Sequence, residues 1–409
     1  MTATMTVGSV AVFSKGSGLS KSDLATDGAH PCIHYGELFT QYGAVIGIVR
    51  SRTNQDLAVR SEAGDVLMPT SDVTPRGLAK ASAILRSGVG LGGDILVIRP
   101  DRAKIDPRFL AYAIRHDANQ VLGLVRGSTV YHLYAADMRH FELPSLPIAE
   151  QARAADALKD ADDLIDTLER LIAKKRAIKQ GMMQELLTGK TRLPGFTEPW
   201  RDVLLGDHVS YLRTVALSRA QLDNQSPVRY VHYGDIHTRS DAKLNAASEP
   251  MPRANAALLG NAGRLQVGDV VFADASEDPD GVGKSVEITA VPSEGVVPGL
   301  HTIAARFDQK VLTNGFKAYL QFIPAFRQAL LRLAAGTKVL ATTRSFISSV
   351  SIYLPGVDEQ RAIAVVLDDV NAEIAQLEAS LIKARDMKLG MMQELLTGRT
   401  RLPVKEAVA

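Results

Sequence analysis

Apolar side chains recur at steps of three and four along two stretches of this chain. In the first stretch Ala154, Leu158, Ala161, Ile165, Leu168, Ile172, Met182 and Leu186 carry the pattern, with a gap after Ile172. In the second, Ile363, Leu367, Val370, Ile374, Leu377, Leu381, Met391 and Leu395 occupy the positions 209 residues further on. This is the a/d seam of a helix that packs on another helix. Each pattern begins after a proline (Pro147, Pro355), near acids (Glu150; Asp358 and Glu359), and ends at Thr188-Gly189 or Thr397-Gly398. Acid at the start and glycine at the end are helix punctuation. The pattern predicts two rods of roughly 39 residues, each about 58 Å long. The gap holds Lys175 and Lys179 in the first rod, and Ala384 and Lys388 in the second. Lys179 and Lys388 stand where the seam wants an apolar residue. Either they face a partner where the rods diverge, or they run their stems along the rod to water.

The rods end alike. Residues 181–194 read GMMQELLTGKTRLP and residues 390–403 read GMMQELLTGRTRLP, so 13 of 14 positions are identical. That match marks a long-period duplication. Charge then sets the pairing. Asp156, Asp160, Asp162, Asp163, Asp166 and Glu169 precede Arg170, Lys174, Lys175, Arg176 and Lys179 in the first rod. Asp368, Asp369, Glu373 and Glu378 precede Lys383, Arg385 and Lys388 in the second. Parallel rods would set like charge against like. Antiparallel rods set each acidic half against a basic one, and this arrangement is expected. Two separate helices, each docked on its own domain, is the plainer alternative.

Between the rods lie two globular segments in which short apolar runs alternate with Gly/Ser turns. Asp65–Met68 and Asp94–Ile98 read as strands and Pro107–His116 as a helix, so the segments are mixed α and β. Weak similarity ties them together. Ile33-His34-Tyr35-Gly36-Glu37-Leu38 resembles Val231-His232-Tyr233-Gly234-Asp235-Ile236, and Leu19-Ser20-Lys21 resembles Leu217-Ser218-Arg219. Val7-Gly8 matches Leu205-Gly206, Gly64-Asp65-Val66 matches Gly268-Asp269-Val270, and Gly127-Ser128-Thr129-Val130 matches Gly336-Thr337-Lys338-Val339. The expected fold class is α+β: two mixed α/β domains, 1–145 and 197–353, separated by a long antiparallel two-helix coiled coil from segments 146–196 and 354–409, with pseudo-twofold symmetry. Residues 1 and 409 should then lie close together.

Composition narrows the functional class. No apolar run reaches the roughly 18–20 residues of a membrane span, and the N-terminus lacks the features of a secretory signal. The single cysteine, Cys32, leaves no internal disulfide framework or cysteine-based zinc site. A cytoplasmic setting is expected. Net charge is +2, which neither demands nor excludes nucleic acid. Residues 1–145 hold 11 Arg and 4 Lys, and residues 197–353 hold 11 Arg and 5 Lys. Arginine's planar fork matches guanine or phosphate. Acids number 13 and 15, so any basic face must come from folding. No catalytic or metal constellation stands out. The stretch 278–285 imitates the end of a P-loop but has Asp278 where glycine is needed. The stretch 100–104 resembles a nuclease fragment without a suitably spaced acid partner. The asparagine-proline pair of an adenine-methyltransferase motif is missing.

The rod ending GMMQELLTGKTRLPGF, the helix starts LPIAEQ and LPGVDEQ, the loop RGSTVYHL, and the segments CIHYGELFTQYG and GVGKSVEI resemble the specificity subunit of type I restriction–modification enzymes over essentially the full length. The resemblance implies a non-catalytic subunit with two target-recognition domains, each reading one half of a bipartite double-stranded DNA sequence. It implies helices that set the spacing and hold two adenine-N6 methyltransferase subunits, to which ATP-dependent motor-nuclease subunits can be added. S-adenosylmethionine, ATP and Mg are then expected in partner subunits and no cofactor in this chain. A specificity subunit of another restriction or methylation system, and a two-headed protein adaptor, are the alternatives.

Under this resemblance the matched loops supply DNA-binding candidates: Lys21, Tyr35, Arg126, Ser128 and Thr129 in the first domain, and Arg219, Tyr233, Thr337 and Lys338 in the second. Each has a plainer role available. The tyrosines can pack at strand ends, Arg126 can be a surface charge, and Ser128-Thr129 can cap a turn. Met182, Met183 and Glu185, with Met391, Met392 and Glu394, are candidates for partner binding, since methionine adapts to varied surfaces.

Overall fold

The computed structural model describes residues 3–334 and 340–402. The chain divides into two compact units, Met1–Arg170 with Glu378–Ala409, and Leu171–Leu377. The first unit holds strands β1 (Ala11–Lys15), β2 (Val45–Ile46), β3 (Val66–Pro69), β4 (Ser82–Ile84) and β5 (Ile95–Pro100), in the order β1-β5-β3-β4-β2. The second unit holds β6 (Val209–Tyr211), β7 (Lys243–Asn245), β8 (Val270–Ala273), β9 (Ser285–Ala290) and β10 (Thr302–Phe307), in the matching order β6-β10-β8-β9-β7. Even the strand senses agree: only β2 with β4 and β7 with β9 pair in parallel. A three-stranded sheet repeats as well. His30–Ile33 lies between Ser51–Thr53 and Gly90–Leu91, and Val228–Val231 lies between Arg253–Ala254 and Val296–Pro298.

The central strands read as continuous apolar runs because both faces of the sheet are covered. Period-two alternation sorts them. Val66, Met68, Leu96 and Ile98 face one core cluster of the first unit, and Leu67, Ile95 and Val97 face another. In the second unit Val270, Phe272, Ile303 and Ala305 face one cluster, and Val271, Ala273 and Ala304 the other. Helix α1 (Pro107–His116) covers the first sheet; Asp106 caps it by accepting from the N–H groups of Arg108 and Phe109. Helix α3 (Pro324–Leu333) packs Phe326 and Leu330 into the second core.

The two rods are α2 (Ile148–Leu186) and α4 (Val357–Leu395). Each unit contains the start of one and the end of the other. Ala154, Ala155 and Leu158 of α2 share the first core with Leu395 and Leu396. Ile363, Ala364 and Leu367 of α4 share the second with Leu186 and Leu187. The packing is antiparallel, and the charges pair as their order along the chain predicts. In the first unit Arg385 donates to Glu169 at 2.6 Å and Lys388 pairs with Asp162. In the second unit Lys175 pairs with Glu373. Lys388 follows the charge pairing expected of antiparallel rods: its ammonium is held by Asp162 and lies 5.9 Å over the Tyr112 ring, so its seam position serves neither a partner nor water alone. Lys179 is half-buried, and burial lowers its pKa against the pull of Asp241.

The repeated motifs have structural explanations. Gly189 and Gly398 take φ of 71° and 70°, the left-handed stop of a helix. Two residues on, Thr191 donates to Glu185 at 2.8 Å and Thr400 to Glu394 at 2.7 Å, tying the turn to the rod. The glutamine of each helix start is buried. Gln151 accepts from the Asp106 N–H and donates to the carbonyls of Lys104 and Leu146. Gln360 accepts from the Thr313 N–H and donates to those of Val311 and Pro355. Residues 1 and 409 lie outside the described residues, but Thr4 and Thr397 line one cleft of the first unit.

Gln360→Leu keeps the side chain's bulk and strips three backbone groups of their partner. Each group left unsatisfied costs roughly 1–3 kcal/mol. A loss of about 3 kcal/mol in urea denaturation is expected, and an unchanged midpoint would contradict the assignment.

Candidate nucleic-acid interface

The His-Tyr-Gly sequence forms the same turn in both units. A buried strand delivers the histidine, whose Nδ1 accepts from the glycine N–H: Gly36 to His34 at 3.2 Å and Gly234 to His232 at 3.1 Å. The neighbouring tyrosine leans on that ring, with centroids 4.6 Å apart for Tyr35 and 4.7 Å for Tyr233. Both tyrosines are half-buried. The next residue differs in use. Glu37 closes the first turn by accepting from the His34 N–H and the Ser51 hydroxyl. Asp235 instead accepts from Arg219 at 2.6 Å.

Arg219 and Lys21 open equivalent short helices, Arg219–Gln221 and Lys21–Asp23, each with a serine capping box. Lys21 is exposed and has no partner among the described residues. In the second unit Arg219, His232, Tyr233 and Asp235 thus gather at one turn. Burial, and then the nearby Arg219, hold the His232 imidazole below its ordinary range, which keeps Nδ1 free to accept.

The loop Arg126–His132 is an exposed hairpin closed by reciprocal backbone bonds of 2.9 and 2.7 Å. Ser128 and Thr129 are exposed at its tip, and Arg126 pairs with Asp137. Thr337 and Lys338 lie outside the described residues. Met182 and Met183 pack half-buried against the second core, and Met391 and Met392 against the first. Each therefore has a packing role within its own unit. Glu185 is exposed and Glu394 half-buried, and both serve the turn described above.

Sequence reasoning missed two pairs of features. Asp65 and Asp269 are fully buried, and each takes a forked pair of hydrogen bonds from an arginine on the adjacent strand, Arg99 or Arg306, at 2.7–2.9 Å. The Gly-Asp-Val matches were the signal for this clamp. The loop Asp278–Lys284 also has a counterpart, Thr74–Lys80, with proline, glycine and lysine at the same places. In the second unit it closes on itself: Asp278 accepts from the Asp280 N–H at 2.9 Å, and Lys284 donates to the His237 carbonyl. A Cβ at Gly281 would lie 2.3 Å from Ser276 Oγ, so glycine serves close packing there.

Comparison with known proteins fits this doubled framework. Residues 2–177 match the type I restriction modification DNA specificity domain. Over 336 residues the chain is 25% identical to a putative type I restriction enzyme MjaX specificity subunit of Methanocaldococcus jannaschii, covering 76% of this chain and 72% of that protein. The MjaVIII specificity subunit of the same organism is 23% identical over 348 residues, with 79% and 77% covered. The chain is thus similar to type I specificity subunits over most of its length, and residues 2–177 carry the match to the specificity domain. The fold agrees: the S subunit from M. genitalium superposes with a TM-score of 0.62 at 13% identity, over 96% of each chain. A chain from a structure of the type I R-M system gives 0.53 at 18% identity, over 97% of this chain and 98% of that one. Among the described residues of this chain, no three His, Cys, Asp or Glu side chains gather to hold a metal, and no helix is long and apolar enough to cross a membrane.

The depressed His232 pKa carries a pH dependence. The unfolded imidazole takes up its proton near pH 6.5, while the folded one resists until lower pH. His232's contribution to stability is thus present above about pH 6.5 and lost as pH falls through the folded value. Urea midpoints should fall between pH 7 and 5. His232→Asn keeps an acceptor for the Gly234 N–H and should remove part of that slope; an unaltered slope would contradict the assignment.

Proposed function

We propose that this chain is a type I specificity subunit, each domain of which reads one half of a bipartite double-stranded DNA target. The helices α2 and α4 set the spacing and dock two adenine-N6 methyltransferase subunits, and ATP-dependent restriction subunits join through them. S-adenosylmethionine, ATP and Mg act in those partners. The observation that carries this reading is the element-by-element repeat of sheet order and strand sense in the two units, together with different residues on the matched turns. One framework presented twice with altered side chains suits two sites for the same kind of ligand with different sequences. Lys21, Tyr35, Arg126, Ser128 and Thr129, with Arg219, Tyr233, Thr337 and Lys338, are the proposed DNA contacts. Positions alike in both domains suit phosphate or scaffold roles, and unlike positions suit base reading.

The rods support the docking role. Leu171 and Ile178 of α2 lie one heptad apart in the second unit and remain 38% and 43% exposed. Ile382 and Leu389 of α4 repeat that spacing in the first unit, 60% and 55% exposed. A heptad-spaced apolar pair left uncovered suits a further helix. Met182, Met183, Glu185, Met391, Met392 and Glu394 belong to the same proposed partner-binding role.

Co-expression with an adenine methyltransferase partner, in a host lacking adenine methylation, tests the reading. Modification-sensitive sequencing should find N6-methyladenine in one split motif, with an adenine in each half and a fixed gap. Binding of the complex to DNA should weaken steeply with salt. Co-purification without any motif would instead favour an adaptor.

A further inference from the structure

One strand-end pair carries different side chains in the two domains. It continues the antiparallel ladder of β3 with β5 in the first unit and of β8 with β10 in the second. The backbone is shared: the Thr70 N–H donates to the Asp94 carbonyl at 2.9 Å, and the Asp274 N–H to the His301 carbonyl at 3.1 Å. The side chains are not. Asp94 in the first unit is replaced by His301, and Thr70 by Asp274.

His301 has a φ of 54°, and it is the only non-glycine residue with positive φ among those described. A left-handed backbone at a residue with a side chain costs free energy and tends to persist at functional sites. The imidazole is 52% exposed. Its Nδ1 lies 3.3 Å from Asp274 Oδ1, and its ring meets Tyr233 edge-on with centroids 5.3 Å apart. His301 and Tyr233 line one open cleft of the second unit.

We infer that this strand-end pair is a base-reading position in each domain, occupied by His301 in the second and Asp94 in the first. The inference rests on the DNA-recognition reading above. The chemistry follows from the partners. Asp274 Oδ1 and the Tyr233 ring flank the half-exposed imidazole, whose ring nitrogens can donate or accept a hydrogen bond. Asp94 is an acceptor, and its ion pair with Lys15 is loose, at 3.5 Å with both side chains half-exposed or more. An acceptor in the major groove selects an exocyclic amine, the N6 group of adenine or the N4 group of cytosine. The two domains thus offer different hydrogen-bonding side chains at one place in the shared framework.

The test uses the complex of this chain with its methyltransferase partner. Methylation rates are measured on duplexes carrying every single-base change in each half of the target. His301→Gly relieves the positive φ and removes the imidazole. It should lower discrimination by about tenfold at one base pair of one half, and leave the other half unchanged. Asp94→Ala should do the same in the opposite half. Unchanged discrimination, a uniform loss across all duplexes, or an effect of either variant on both halves would overturn the inference. Absence of any split target for the unaltered chain would instead overturn the underlying reading.

Discussion

Two pairs of leucines at the ends of the rods hold this structure together. Leu395 and Leu396 are buried in the core of the first unit, and Leu186 and Leu187 in the core of the second. Both units are assembled from distant parts of the chain, so neither core is complete until the helix that closes it has been made. The Thr-Gly stop after each pair fixes where the helix ends. The Glu185–Thr191 and Glu394–Thr400 bonds then turn the chain away. This constraint gives a physical reason for the near-identity of the two 14-residue motifs: each must end a rod, plug a core and reverse the chain within a few residues.

The same economy governs the helix starts. Gln151 and Gln360 join the first turns of α2 and α4 to loops of their units through three hydrogen bonds each. A buried amide that satisfies three backbone groups has no equivalent replacement. The domains face weaker constraints on their surfaces. Their sheets need apolar residues at alternating positions and an arginine–aspartate clamp, which leaves the turns free to differ. Under the proposed function, that division lets the scaffold stay fixed while the turns change target.

Much of this was legible in the sequence because rods write their geometry locally. A seven-residue repeat, an acidic half before a basic half, and a glycine stop together gave the two helices and their antiparallel sense. The predicted Pro107–His116 helix is observed with those bounds. Sheet order was not legible, because strand pairing depends on residues far apart. The pairing of Lys388 with Asp162 follows from the charge order, but its place over Tyr112 was not legible because that ring belongs to the domain. The matched loops Thr74–Lys80 and Asp278–Lys284 escaped notice since only three of their positions remain alike. The strand-end pair at Asp94 and His301 shares no side chain, and its equivalence exists only in the backbone hydrogen bonds. Of the candidate contacts, Arg219 and Tyr233 sit beside one turn, and no repeated motif marks His301, whose ring meets Tyr233.

Residue-resolved hydrogen exchange on Leu395→Ala tests the central claim most directly. Removing a buried leucine costs about 2–5 kcal/mol, and the account assigns that loss to one unit. Protection should fall throughout the first unit, including strands β3 and β5, which are remote in sequence from the substitution, and stay unchanged in the sheet of the second. Loss confined to the last turns of α4, or loss spread equally over both units, would contradict the claim that each rod end completes one particular core.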